Sequence, residues 1–248
     1  MKKISGVLLI LLTAAFALPL AALIYLSFRS GDGFSLEQYR RALSDAEFLR
    51  RLSCSCRITL LSLAFHLPVA LICGLLLARG RFRGRTGLSM LFVLALLLPF
   101  QVIMLPVYKM SLASGLYDSY WSVVLLAAFA PLGTLISVVL IRGVPESQWE
   151  AASLETKSLS ETKRLVNLPQ ILPGLAVLGL LVFADTWNMV EQPLILLPTP
   201  EKRPLSLAFN DILKTNTDYL YAGSALYALP IVAVYFLLFG FSARRKIR

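Results

Sequence analysis

Six stretches of the chain are almost uninterruptedly apolar, and polar or charged residues collect between them. They run from Gly6 to Phe28, Ile58 to Ala78, Leu88 to Met110, Tyr120 to Ile141, Pro173 to Leu197 and Tyr221 to Phe241. A helix needs about 20 apolar residues to cross the hydrocarbon layer of a bilayer. The pattern therefore predicts an all-α membrane protein with six transmembrane helices, folded as one domain over residues 1–248. Lys2 and Lys3 precede the first stretch, and Ala15-Phe16-Ala17 within it resembles a signal-cleavage site. Its apolar run outlasts the roughly 7 to 15 residues of a signal core, so it reads as an uncleaved span.

Composition agrees with a bilayer as the solvent. The 248 residues are 57% hydrophobic and 15% charged, with a mean hydropathy of +0.73, more apolar surface than one soluble core would bury. The formal charge of +10 would suggest nucleic acid in a soluble protein. Here the cations sit between apolar runs, where they set orientation, so no nucleic-acid partner is expected. Arg79, Arg81, Arg83 and Arg85 fill a short connection without an acidic residue, and Arg244, Arg245, Lys246 and Arg248 fill the last segment. The excess of cations in these segments predicts both termini in the cytoplasm. Cys54, Cys56 and Cys73 form no CxxC or Cys/His pattern, so neither a metal site nor a disulfide framework is indicated. Between the first two spans, residues 34–52 read as a pair of interfacial helices, with capping boxes at Ser35/Gln38 and Ser44/Glu47.

The connection from Arg142 to Leu172 is neither a span nor a featureless loop. Trp149, Ala152 and Leu159 recur among polar residues at roughly helical spacing, which predicts a helix along the membrane surface, ending before Pro169. Pattern alone leaves open whether this helix links two spans or docks on a partner. Within it, Glu150-Ala151-Ala152, followed by Glu155 and then by Leu168-Pro169 and Pro173, resembles the EAA loop of type I ATP-binding-cassette importer permeases. The resemblance continues in Ser35-Leu36-Glu37-Gln38-Tyr39, in the basic turn from Ala78 to Arg85, and in Pro106-Val107-Tyr108 with Gly115-Leu116. Trp187-Asn188 and Gln192-Pro193-Leu194 are similar to the carbohydrate-type branch, specifically its MalG-like second permease.

The resemblance implies a type I importer permease fold whose loop is a cytoplasmic coupling helix, formed by Glu150, Ala151, Ala152, Glu155 and Thr156. It implies a second permease, a pair of ATPase subunits and an extracytoplasmic solute-binding protein as partners, and a sugar as cargo. The chain has no GxxxxGK[ST] phosphate loop, so ATP, the one nucleotide implied, belongs to the ATPase subunit and no cofactor is assigned to this chain. Three departures stand out. Thr156 replaces the family's glycine, with Lys157 after it, so that turn lacks glycine's freedom at positive φ. Cys54-Ser55 stands where Asn-Ser is common. The sequence runs to Arg248 without the family's usual glycine-containing tail, so a contact of that tail with the ATPase is not expected.

Polar residues inside spans are costly and mark functional candidates. Asp185, Asn188 and Gln192 are spaced three and four apart, on one face if the helix is continuous, with Glu191 beside them. This face is expected to line the solute pathway or to bond to neighbouring helices. Trp187 fits either a sugar-stacking ring or an interfacial anchor, and Gln101 is a further pathway candidate. Lys109 is another candidate, with snorkelling to the outer interface as the alternative. His66, beside Pro68, reads as hydrogen-bonded packing, with a proton relay as the alternative. No arrangement of nucleophile and base or of paired carboxylates suggests catalysis, so no catalytic residue and no enzyme activity is assigned. The competing readings are a permease for polyamine, phosphate or sulfate, which would share the loop, and a small secondary transporter, which would require paired repeats that are not evident.

Overall fold

In lipid a backbone N–H or C=O without a partner is heavily penalised, so an apolar segment long enough to cross must bond internally as helix. Each of the six apolar stretches contains helix in the computed structural model, which describes residues 2–30, 33–148, 150, 168–207, 209 and 219–245. Helix α1 spans Lys2–Ser27, and two-residue strands β1 (Arg29–Ser30) and β2 (Gly33–Phe34) pair antiparallel after it. Then come α2 (Glu37–Ser44), α3 (Ala46–Arg79), α4 (Arg85–Leu97), α5 (Phe100–Ala113), α6 (Tyr120–Ala128) and α7 (Pro131–Arg142). The series ends with α8 (Leu168–Trp187), α9 (Glu191–Leu196), a 3-10 turn at Pro200–Lys202, and α10 (Leu220–Arg245).

Among the described residues, four helical segments are long and apolar enough to cross on their own: 46–79, 120–142, 170–187 and 220–237. The predicted span 88–110 is two helices, α4 and α5, meeting at 104°. The cause is Pro99, which lacks an N–H for the ladder and pushes Leu98 into extended backbone (φ −75°, ψ 119°). Pro131 likewise separates α6 from α7, with Ala130 extended before it. The predicted span 173–197 begins earlier, at Leu168, and stops at Trp187. Pro193 explains the stop, because its ring would strike the Met189 carbonyl of a continuous helix. The chain therefore restarts as α9, where Pro193 occupies the first turn.

The interfacial pair expected over 34–52 is corrected too. Only α2 is separate; its would-be partner is the first part of α3, a helix of 34 residues and about 50 Å. The capping boxes do not form. Asp45, not Ser44, caps α3 by accepting from the Glu47 and Phe48 amides. Gln38 donates instead to the Leu26 and Arg29 carbonyls.

Helix α3 is the axis of the fold, packing on α7, α6 and α8. Small residues permit the close crossings: a Cβ on Gly74 would overlap Ser137, and one on Gly174 would overlap Leu140. The core lies in four buried clusters strung along the bundle, among them Leu77, Ile141 and Ile171 at the Arg79 end of α3, and Ile58, Val123 and Leu196 towards its other end. Exposed apolar side chains cover α1, α4 and α5, as a lipid-facing surface requires.

Candidate functional site

The three helix breaks converge on one cavity of about 860 Å³. Its wall is built from the α4–α5 elbow (Leu98, Phe100, Ile103), the α6–α7 junction (Phe129 to Gly133), and the α8–α9 junction (Asp185, Met189, Gln192), with His66 contributed by α3. Each break exposes helix ends to the interior instead of a closed ladder, which is tolerated in a membrane only where the backbone lines protein or a water-filled space.

The six pathway candidates divide into three groups. Asp185 and Gln192 line the cavity. Trp187 does not. It is 1% exposed and lies face to face with Phe183 and Tyr227, ring centroids 5.6 and 5.5 Å away. Its indole N–H donates to the Tyr227 carbonyl at 3.1 Å, and the Tyr227 hydroxyl donates back to the Trp187 carbonyl at 2.9 Å. This reciprocal pair fastens α8 to α10 and leaves no ring face for a sugar. Asn188 belongs to the same cluster: its amide donates to the Ala184 carbonyl at 2.8 Å, and its Oδ1 lies 3.1 Å from the Tyr227 hydroxyl. Because α8 ends at Trp187, the face expected to carry Asp185, Asn188 and Gln192 is not continuous. The third group is Gln101 with Glu191, hydrogen-bonded to each other across the α5 and α9 starts.

His66 is buried and hydrogen-bonded. Its Nδ1 lies 2.7 Å from the Ala127 carbonyl, at the C-terminal end of α6. Its Nε2 has no partner among the described residues and faces Gly133, where any Cβ would overlap the imidazole.

At the end of the bundle opposite Arg79, Asp118 forms a hub that no sequence motif marks. It adopts φ 58°, an uncommon backbone for a residue other than glycine and one that aspartate tolerates better than most. Its carboxylate accepts from the Thr199 amide and hydroxyl at 3.3 and 2.7 Å and from Lys202 Nζ at 2.7 Å. Burial raises the carboxyl pKa, but the hydrogen bonds from Lys202 and Thr199 together outweigh it and hold the group below the usual carboxylate range. Arg51 adds a bond to the Pro200 carbonyl and Ser55 accepts from the Leu205 amide. Residues 197–205 are thereby stitched to α3 and to the turn before α6.

Of the coupling residues, Glu150 is described as helical and exposed, whereas Ala151, Ala152, Glu155 and Thr156 lie outside the described residues. The approach to Glu150 is well fixed. Arg79, closing α3, pairs with Glu146 and donates to the Val144 carbonyl at 2.7 Å. Gln170, in the first turn of α8, donates to Gln148 at 2.5 Å. The segment is thus tied to the two helices that carry His66 and Asp185.

Residues 68–248 match the family model described as the binding-protein-dependent transport system inner membrane component. The chain is 27% identical over 211 residues to the diacetylchitobiose uptake system permease protein of Streptomyces coelicolor, covering 82% of this chain and 76% of that one. It is 29% identical over 181 residues to the arabinooligosaccharides transport system permease protein of Halalkalibacterium halodurans, covering 72% of this chain and 63% of the relative. In fold it is similar to a chain from the crystal structure of a bacterial ABC transporter that imports the acidic polysaccharide alginate. That match has a TM-score of 0.76, 22% identity and 96% coverage of both chains. A second structure, of the alginate transporter with an alginate pentasaccharide-bound periplasmic protein, gives a TM-score of 0.71 at 16% identity.

Proposed function

We propose, from the premise that this chain belongs to the family of binding-protein-dependent transport system inner membrane components, that it is a membrane-spanning subunit of an ATP-driven importer of oligosaccharides. The observation that carries the reading is the family match itself, which runs through the predicted coupling segment and through most of the helices that wall the cavity. The names of the sugar permeases it resembles support a saccharide as cargo.

In this reading the solute arrives from an extracytoplasmic binding protein and crosses between this chain and a second, nonidentical permease. A pair of ATPase subunits docks on the coupling segment, with Glu150, Ala151, Ala152, Glu155 and Thr156 at the contact, and holds the ATP. Both termini lie in the cytoplasm, as the placement of the basic residues favours. Force applied to the segment reaches α3 through Arg79 and α8 through Gln170, and both helices bear on the cavity. Nothing in this scheme asks the chain to perform chemistry of its own.

The test is co-expression with candidate partners, purification, and measurement of uptake and solute-stimulated ATP hydrolysis in proteoliposomes. A complex with a second permease and two ATPase copies, stimulated by an oligosaccharide, is the expected result. Glu150→Lys should leave the complex assembled but separate hydrolysis from uptake, since it reverses the charge offered to the partner. A transport-active preparation lacking any ATPase, or stimulation by polyamine, phosphate or sulfate in place of sugars, would overturn the assignment.

A further inference from the structure

The cavity carries charge of one sign. Asp185 stands in the last turn of α8, inside an apolar run, and is exposed where it lines the cavity. Among the described residues no hydrogen bond or salt bridge holds its carboxylate, and His66 is the basic group within electrostatic reach of it. No described lysine or arginine lines the wall. The Thr186 hydroxyl is committed to the Val182 carbonyl at 2.7 Å, and Gln192 is uncharged.

His66 does not supply the missing cation. A carbonyl only accepts, so Nδ1, 2.7 Å from the Ala127 oxygen, carries the imidazole proton. The residue is 2% exposed and Nε2 has no partner, so a second proton would bury a charged N–H without an acceptor. His66 therefore brings no fixed cation to the wall, and among the described residues Asp185 is the one carboxylate there. One residue from Gln192, Glu191 is held by the neutral amide of Gln101, which brings no cation with it.

An unpaired carboxylate at such a depth is sustained by water or by a ligand that donates to it. Low-dielectric walls, here mostly aliphatic with Phe100 and Phe129, focus its field across the space. We infer that the cavity selects its saccharide by charge, accepting uncharged or ammonium-bearing oligosaccharides and rejecting polyanionic ones such as uronates. The inference rests on the carbohydrate reading above. Sugar hydroxyls and ammonium groups donate to Asp185, while a uronate carboxylate only accepts and meets charge of its own sign in an apolar enclosure.

The experiment is equilibrium binding to the purified importer complex in lipid nanodiscs, without the solute-binding protein, so that its own selectivity does not enter. The probes are uncharged pentasaccharides (malto-, cello- and N-acetylchito-), a chitosan pentamer and an alginate pentamer. At least one uncharged or cationic probe should bind about tenfold or more tighter than the alginate pentamer, the scale of a single like-charge juxtaposition. Asp185→Asn should remove most of that gap, and Gln192→Lys, which places a cation on the same wall, should narrow it independently. Equal binding of alginate and uncharged probes to the unaltered complex would overturn charge selection while leaving the carbohydrate reading intact. So would an unchanged gap in the folded variants, Gln192→Lys deciding the matter if Asp185→Asn does not assemble. If no saccharide binds and a different solute stimulates ATP hydrolysis, the carbohydrate reading fails and the inference with it.

Discussion

The side-chain amide of Gln101 donates to both carboxylate oxygens of Glu191, each at 2.8 Å, and so clips the first turn of α5 to the first turn of α9. Both elements begin immediately after a break in the chain, and both border the cavity. Each group is exposed, so Gln101→Ala should cost less than about 1 kcal/mol of stability. Its effect should fall on the cavity wall. A cysteine at Ile103, in a chain whose Cys54, Cys56 and Cys73 are replaced by alanine, should react severalfold faster with a membrane-impermeant thiol reagent when Gln101→Ala is added. Equal labelling rates would show that the clip does not hold the wall.

Trp187 is expected to act through packing. Trp187→Ala should destabilise the complex by about 3 to 5 kcal/mol, the usual cost of emptying a large aromatic site. Trp187→Phe, which keeps the stacking on Phe183 and Tyr227 and loses one hydrogen bond, should retain uptake and most of the thermal stability. A severe uptake defect in a fully stable Trp187→Phe protein would instead indicate contact with the solute.

Gly133 is required by the imidazole opposite it. Gly133→Ala should lower stability by about 1 to 3 kcal/mol, because the methyl group overfills the space beside His66. The loss should be smaller when His66→Ala is present, since the truncated side chain makes room. Thermal-unfolding midpoints of the single and double variants measure the coupling, and strict additivity would place the strain elsewhere.

Asp118 should make stability depend on acid. Its carboxyl pKa in the folded chain lies below the ordinary 3.8, burial opposing and the Lys202 and Thr199 bonds favouring the charged form. The folded state therefore binds the proton less readily than the unfolded chain, and the stabilisation is fully present above about pH 5. It fades as the pH falls below 3.8 towards the folded value. Asp118→Asn should lower the midpoint modestly near neutrality, since Lys202 is partly exposed and screened, and the difference from the unaltered protein should shrink in acid. A difference that grows on acidification would contradict the direction of the shift.

The apolar runs revealed where helices lie because hydropathy reports the solvent of a segment, not the path of its axis. The elbows escaped notice for a definite reason: proline is an ambiguous signal in this chain. Pro99 and Pro131 end helices, yet Pro19, Pro68, Pro106, Pro173 and Pro230 are accommodated within them. Neighbouring helices and the free carbonyl decide which occurs, and both are tertiary facts. The site shared this fate. Asp185 and Gln192 reach the cavity on either side of a break, while Trp187 and Asn188, adjacent in sequence, are drawn to Tyr227, forty residues away. Asp118 was invisible for another reason: its partners, Thr199 and Lys202, are brought to it by folding alone.

Helix α1 has its main helical partner in α10, at the far end of the chain. The ribosome therefore delivers α1 to the bilayer long before the surface it packs against exists. Roughly 200 residues separate the two, and at synthesis rates of about 5 to 20 residues per second α1 waits on the order of 10 to 40 seconds. During that interval its exposed leucines and Phe16 are covered by lipid or by the insertion machinery. The bundle closes only when α10 has been released into the membrane, so every translation product cut short before it carries an orphaned α1 for quality control to find.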